Sequence, residues 1–196
     1  MSNFELSRIE LILGCMFSGK STELIRRISR YEAIGYSILL INHVYDTRTD
    51  DSIQTHSKIR KNALKISSLM TCLDNPEFKN ARVIGIDESQ FFNDLYDFAL
   101  ECEKLGKILI ISGLNGDSNR KPFGQILDII PLADDISLLH AMDMIDKNGT
   151  FAFFSKKIQY QSQTQNQTPD LLDKNKQIDI GAADKYVAVS RKNYFK

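Results

Sequence analysis

The sequence is short of cysteine, of net charge and of long apolar runs, and each shortage removes a class of protein. Cys15, Cys72 and Cys102 are the only cysteines, lie far apart and form no C-x-x-C pair. They give no disulfide framework and suit a reducing, cytoplasmic compartment. No apolar run approaches the roughly 20 residues that cross a bilayer, and the opening MSNFELSRIE is not a signal peptide, so no membrane partner is expected. Lysine and arginine number 25 against 25 aspartates and glutamates, which lacks the basic excess of a nucleic-acid binder. What remains is an ordinary soluble composition, 42% hydrophobic and 26% charged, over 196 residues. That is one full domain with at most a small appendage, able to bury about 70% of its unfolded surface and needing no staples.

The first two thirds alternate short apolar runs with amphipathic segments. ELSRIELILG (5–14), YSILLINHV (36–44), ARVIGID (81–87) and KILIISGLN (107–115) read as buried strands. Between them, Leu24, Ile25, Ile28 and Tyr31 fall at helical spacing, DLYDFALECEKLG (94–106) predicts a helix stopped at Gly106, and a short helix is expected before Pro131. Strands alternating with helices predict an α/β fold with a mainly parallel sheet. The last third differs. DISLLHAMDM (135–144) and TFAFFSKKIQY (150–160) flank the turn signal KNG (147–149) and predict a hairpin, while the polar stretch 161–177 predicts a loop. The layout is a domain over 1–138 and a small β-rich domain over 139–196.

Gly14-Cys15-Met16-Phe17-Ser18-Gly19-Lys20-Ser21 matches G-x-x-x-x-G-K-[ST] between an apolar strand and a helix, the context of a P-loop. Its backbone N–H groups and the helix N-terminus suit phosphate oxygens, Lys20 suits the β- and γ-phosphates, and Ser21 suits Mg²⁺. Asp87 ends an apolar strand and is placed to support Mg²⁺ as a Walker-B aspartate does. Glu88, one residue on, projects elsewhere and suits a general base that orients a substrate hydroxyl and accepts its proton late. ATP and Mg²⁺ are therefore the expected cofactors.

GCMFSGKSTELIRR, YDTR (45–48), TH (55–56), IGIDESQFF (84–92), RKPFG (120–124) and GAADKY (181–186) occur in this order over most of the chain. Together they resemble the type II, or cytosolic-type, thymidine kinases. The resemblance implies a RecA-like P-loop domain, a small lasso domain, thymidine and ATP as substrates, and a homotetramer. It implies Glu88 as catalytic base, and Asp46 and Arg48 beside the transferred phosphoryl group. It also implies Gln90, Phe91, Phe123 and Tyr186 near the nucleoside, with the base read by the backbone of Gln177, Ile178, Asp179 and Ile180. Phe91 and Phe123 are also open to a plain core role, and Arg48 and Arg120 to plain surface charge.

Two departures from the family pattern stand out. Leu114-Asn115-Gly116-Asp117-Ser118 replaces the usual Leu-Asp-Gly-Thr-Phe, adding a carboxylate and losing an aromatic near the nucleoside. Members commonly bind zinc through two Cys-x-x-Cys pairs, but the corresponding positions are Met142, Ile145, Ser190 and Asn193. None supplies a thiolate or imidazole, so no structural zinc is expected. His140, Asp143 and Asp146 make a poor substitute ligand set. A small apolar cluster of Met142, Ile145, Phe151, Phe153, Phe154, Val187, Val189, Tyr194 and Phe195 is expected in the metal's place. The competing reading is a RecA-like ATPase or nucleotide-binding module without nucleoside kinase activity. Neutral charge and intact Lys20, Ser21, Asp87 and Glu88 weigh against it.

Overall fold

The computed structural model describes residues 7–46, 52–54, 60–158 and 185–196. Arg48, the stretch 161–177 and the base-reading positions Gln177 to Ile180 lie outside the described residues. Strand β1 (Arg8–Gly14) is apolar at most positions because both of its faces are covered. Helix α1 (Lys20–Ala33) follows and buries Leu24, Ile25 and Ile28. Next come β2 (Ile38–His43), a short antiparallel pair of β3 (Ser52–Gln54) and β4 (Arg60–Asn62), and β5 (Leu64–Ile66). Helix α2 (Pro76–Asn80) enters β6 (Val83–Ile86), and α3 (Leu95–Lys104) enters β7 (Ile108–Gly113). A 3₁₀ turn at Ile126–Leu132 precedes β8 (Asp135–Leu139).

Six strands lie in the order β5-β2-β6-β7-β1-β8, and all of their pairings are parallel. Alternation along β1 sends Ile12 to one core with Leu24, Ile25 and Ile28 of α1. Ile9, Leu11 and Leu13 meet the other core, with Phe78, Leu95, Phe98, Ala99 and Cys102 of α2 and α3. This is the α/β architecture that the sequence predicts. Arg27 of α1 lies in a buried polar seam, donating to Glu10 at 2.6 Å, Asp135 at 2.7 Å, Glu23 at 2.8 Å and Ser137 at 2.7 Å. The P-loop helix is thereby pinned to β1 and to the edge strand β8.

Beyond β8, β9 (Ala141–Met142) pairs antiparallel with β10 (Phe151–Ala152). β11 (Phe154–Lys157) pairs antiparallel with β12 (Tyr186–Val189), and α4 (Arg191–Tyr194) follows. The long hairpin expected over 135–144 and 150–160 is thus corrected to a two-residue pairing. Asp135–Leu139 instead joins β1, where Asp134 accepts from the Ile9 N–H at 2.8 Å and Asp135 meets Arg27. The KNG turn does form, with Lys147 and Gly149 at positive φ and Asn148 Oδ1 accepting from the Thr150 N–H. The helical turn expected before Pro131 runs through it as a 3₁₀ segment, where the missing proline N–H near the end of a short turn is tolerated.

Candidate active site

A parallel sheet gathers the carboxyl ends of its strands along one edge, and the chemistry-bearing residues sit there. After β1 the chain turns through Phe17 at φ 64° and Gly19 at φ 85°, a left-handed pair of bends that opens directly into α1. Among the described residues no side chain caps that helix, whose N-terminus opens onto the loop. Lys20 is buried and its Nζ donates to the Cys15 carbonyl at 2.7 Å, holding the ammonium inside the loop. Ser18 Oγ is buried without a hydrogen-bond partner among the described residues. An orphaned hydroxyl at this position fits a loop shaped for an oxygen-rich ligand.

Met16 and Phe17 tie the loop to the small β region. The Met16 N–H donates to Ser155 Oγ at 3.0 Å, and Cys15 Sγ lies 3.5 Å from the Ala152 carbonyl. Cys15 packs with Ala141, Ala152 and Ala188, with Phe17 against them. Burial pushes the Cys15 thiol up, so it is a packing group rather than a nucleophile. Tyr186 lies on β12 opposite Lys157, at the outer end of the β11–β12 pair.

Asp46, just past β2, is buried and accepts from Asn42 Nδ2 at 2.9 Å, while Lys65 Nζ reaches its carbonyl at 2.7 Å. Asp87, just past β6, is buried and accepts from Ser112 Oγ on β7 and from the Glu88 N–H at 3.0 Å. Asp87 and Ser21 supply carboxylate and hydroxyl oxygens, the donor set that a hard cation such as Mg²⁺ takes, and they fit it. Glu88 takes φ 51°, a left-handed conformation that is strained for a side-chain-bearing residue and frequent at functional sites. The turn gives Asp87 and Glu88 separate hydrogen-bond environments.

Glu88 Oε2 accepts from Gln90 Nε2 at 2.7 Å, and Gln90 Oε1 accepts from the Leu114 N–H at 2.9 Å. Gln90 is buried, so this amide fixes the carboxylate by way of the backbone that follows β7. Phe91 and Phe123 meet edge to face with ring centroids 5.6 Å apart. Gly124 holds Phe123 close by: at φ 60°, a Cβ there would stand 2.2 Å from the Gln90 carbonyl oxygen. His43 and Tyr45 extend the aromatic wall, at 5.6 and 5.8 Å from the Phe91 ring. Burial pushes the His43 pKa down, and its Nδ1 accepts from the Tyr45 N–H, so it stands as a neutral packing group.

Arg120 does not join this wall. Its guanidinium lies 4.3 Å from the Tyr194 ring centroid and 4.7 Å from that of Phe195, and Tyr194 Oη donates to the Ser118 carbonyl at 2.7 Å. The loop after β7 is thus stapled to α4. The unusual Asp117 accepts through Oδ1 from the N–H groups of Asn119 and Lys121 at 2.8 and 2.9 Å, both within its own turn.

The apolar cluster expected in place of zinc does not form around Met142 and Ile145, which are 58% and 51% exposed; Phe151, Phe153 and Phe195 are exposed too. The two turns have short polar sequences with little apolar surface to bury, and a buried carboxylate, Asp143, occupies their centre instead. Sequence reasoning also passed over the His43–Tyr45 shelf. The alternation of Asn42, His43 and Tyr45 at the end of an apolar strand was the available signal.

The thymidine kinase family model matches residues 7–194. The chain is 37% identical over 190 residues to the thymidine kinase of Myxoma virus (strain Uriarra), covering 96% of each. It is 40% identical over 190 residues to the thymidine kinase of Yaba monkey tumor virus (strain VR587), covering 96% of this chain and 94% of that one. The cytosolic thymidine kinase of Homo sapiens is 38% identical over 190 residues, covering 96% of this chain and 74% of the human one. With a P-loop, an Asp-Glu pair and an aromatic wall on one sheet edge, and these matches along nearly its whole length, the chain belongs to the thymidine kinase family.

Proposed function

We propose that this chain transfers the γ-phosphate of ATP to the 5′-hydroxyl of thymidine, with deoxyuridine as a further acceptor. The observation that carries the reading is the Glu88–Gln90–Leu114 chain of hydrogen bonds beside Phe91 and Phe123, on the same edge as the P-loop. Lys20 and the loop amides from Gly14 to Ser21 hold the phosphates, and Asp46 and Arg48 flank the phosphoryl group in transfer. Ser21 and Asp87 hold Mg²⁺, which when bound neutralises charge on the phosphate oxygens.

Glu88 acts by position. A primary alcohol is too weak an acid to lose its proton before attack, and a loose transition state does not require it to. Gln90 holds the carboxylate so that one oxygen faces the hydroxyl and takes the proton as the new P–O bond forms. Phe91 and Phe123 cover the base. Tyr186 and the backbone from Gln177 to Ile180 complete the nucleoside side, in a small domain spanning 139–196.

Other parts of the reading rest on surface features. The edge strand β8 exposes Ile136 and Leu138, 45% and 54%, which supports assembly into a homotetramer. The balanced charge supports small-molecule rather than nucleic-acid partners. Three buried free thiols support a reducing, cytoplasmic setting. Among the described residues no helix is long and apolar enough to cross a membrane.

A phosphoryl-transfer assay over a panel of deoxynucleosides with ATP and Mg²⁺ tests the reading. Thymidine should be phosphorylated, and Glu88→Gln should lower kcat by about 10²–10⁴-fold while ATP still binds. Salt-sensitive binding of single-stranded DNA with no nucleoside phosphorylation would assign the chain to an ATPase module instead.

A further inference from the structure

The family resemblance places a structural zinc between two turns, at positions 142, 145, 190 and 193. The residues present do not fit that metal. Met142 and Ile145 are exposed apolar side chains, and Ser190 and Asn193 are neutral oxygen and amide groups. Among the described residues no group of three or more histidines, cysteines, aspartates or glutamates could hold a metal ion.

The same two turns are nevertheless joined. Asp143, only 2% exposed, stands between them. Its Oδ1 accepts from the N–H groups of Ile145 and Asp146 at 2.8 and 2.9 Å, both from its own turn. Its Oδ2 accepts from the Ser190 N–H at 2.6 Å, across the gap, and Asn193 Nδ2 lies 3.1 and 3.0 Å from the two oxygens. Each turn therefore supplies two donor groups, and two of these donors stand at 190 and 193 themselves. Ser190 and Asn193 are buried, and Ser190 Oγ also caps α4.

We propose that the Asp143 carboxylate is a metal-free clasp that does for the small domain what a structural zinc would do. The polarity is inverted. A zinc ion is a cation that draws anionic side chains from both turns, whereas Asp143 is an anion that draws N–H donors from both. The donors are backbone amides and one carboxamide, so the turns need no cysteine. Burial alone would push the Asp143 pKa up, but the bonds from Ser190, Asp146 and Asn193 outweigh it and hold the group below the usual carboxylate range. The clasp therefore remains charged at neutral pH.

The position of the clasp gives it reach beyond the small domain. The Met144 N–H donates to the Ala188 carbonyl and the Phe153 N–H to the Val189 carbonyl, at 3.0 and 3.1 Å, so the clasped turn is continuous with β12. β12 pairs with β11, whose Ser155 accepts from Met16 in the P-loop. Asp143 is thus a positioning residue for the strand pair that carries Tyr186, acting through backbone rather than by touching substrate.

The test uses the purified, tag-free full chain. Elemental analysis should find no stoichiometric zinc, and amide hydrogen exchange should be unchanged after treatment with a zinc-selective chelator. Asp143→Ala should accelerate exchange over 141–158 and 185–194 while leaving β6 and β7 protected. Adding M142C, I145C, S190C and N193C to that variant, with zinc supplied, should restore protection. Asp143→Asn keeps the shape and one acceptor oxygen, and should give intermediate exchange even if the alanine variant fails to fold. About one zinc per wild-type chain, or native exchange in both Asp143 variants, would overturn the proposal. Neither readout depends on catalysis, so this failure is distinguishable from failure of the kinase reading.

Discussion

Gln90→Met isolates what the buried amide does for the Glu88 carboxylate. Methionine nearly conserves volume at a closed site, so the main loss is polar. Two hydrogen bonds disappear, the 2.7 Å bond to Glu88 and the 2.9 Å bond from Leu114. A bond to a charged group is worth about 1.5–3 kcal/mol net, and an orphaned Leu114 N–H adds about 1–3 kcal/mol of destabilisation. If the bond to Glu88 acts by fixing the carboxylate for proton acceptance, the first figure appears in the barrier. At 1.36 kcal/mol per decade, kcat for thymidine should fall by about 10–150-fold. KM for ATP should hold steady, because Lys20 and Ser21 are not touched. Gln90→Glu supplies the complementary arm: it retains an acceptor for Leu114 but replaces the donor with a second carboxylate beside Glu88. Its kcat should fall at least as far, and its stability should fall as well, because a second carboxylate is buried beside Glu88. Steady-state kinetics on thymidine and ATP, with a urea titration of each variant, separates the terms. Wild-type kcat in Gln90→Met, with the expected stability loss, would refute the orienting role.

Other perturbations probe different layers of the molecule. Arg27→Met leaves the buried Glu10 with only the half-exposed Arg8 as a cation and should destabilise the fold by about 1.5–3 kcal/mol, seen as a lower urea midpoint; an unmoved midpoint would show the seam to be dispensable. Gly124→Ala places a side chain in a left-handed conformation costing about 1–2 kcal/mol, before any clash with the Gln90 carbonyl, so Tm should drop by at least about 2 °C. Acid should open the β9–β12 region late. The folded Asp143 pKa lies below its unfolded value, so its stabilisation is complete above about pH 4 and is lost as pH falls through the folded pKa. The neighbouring Asp146 does not shift that window upward, being also held low by Asn193 and Lys192. Exchange protection at 141–158 lost between about pH 5 and 7 would contradict this.

The main sheet was legible because its strands are buried on both faces and therefore read as continuous apolar runs. β1, β2, β6 and β7 all do so. α1 and α3 announced themselves by helical spacing, and Gly106 stops α3 at φ 68° as its position suggested. β3, β4 and β5 did not, being three residues each and too short for a period to stand out, although Leu64 and Ile66 of β5 alternate. β8 was visible as a strand but not in its partner. Its pairing with β1 depends on Asp134 and Asp135 finding Ile9 and Arg27, contacts more than one hundred residues away in sequence. At the site, the P-loop and Asp87-Glu88 were readable because their chemistry fixes both residue type and spacing. The orienting bonds of Gln90 and the stapling of Arg120 on Tyr194 were not, because they depend on tertiary register alone.

The two turns at 142–146 and 190–193 show a more general limit. Reading Met142, Ile145, Ser190 and Asn193 as substitutes for four ligands assumes that whatever joins the turns stands at the ligand positions. Two apolar residues among the four then suggest apolar packing. A metal knuckle, however, also orients backbone N–H groups toward the centre that its side chains bind, and those donors belong to the turn's conformation rather than to its side chains. Once the thiolates are gone, the donors still need an acceptor, and leaving them buried and unpaired costs about 1–3 kcal/mol each. A carboxylate one residue along, at Asp143, reaches them from within. The replacement thus follows the unsatisfied backbone rather than the vanished side chains. In sequence it shows only as an aspartate beside an empty ligand position, which spacing arguments about metal sites are built to pass over.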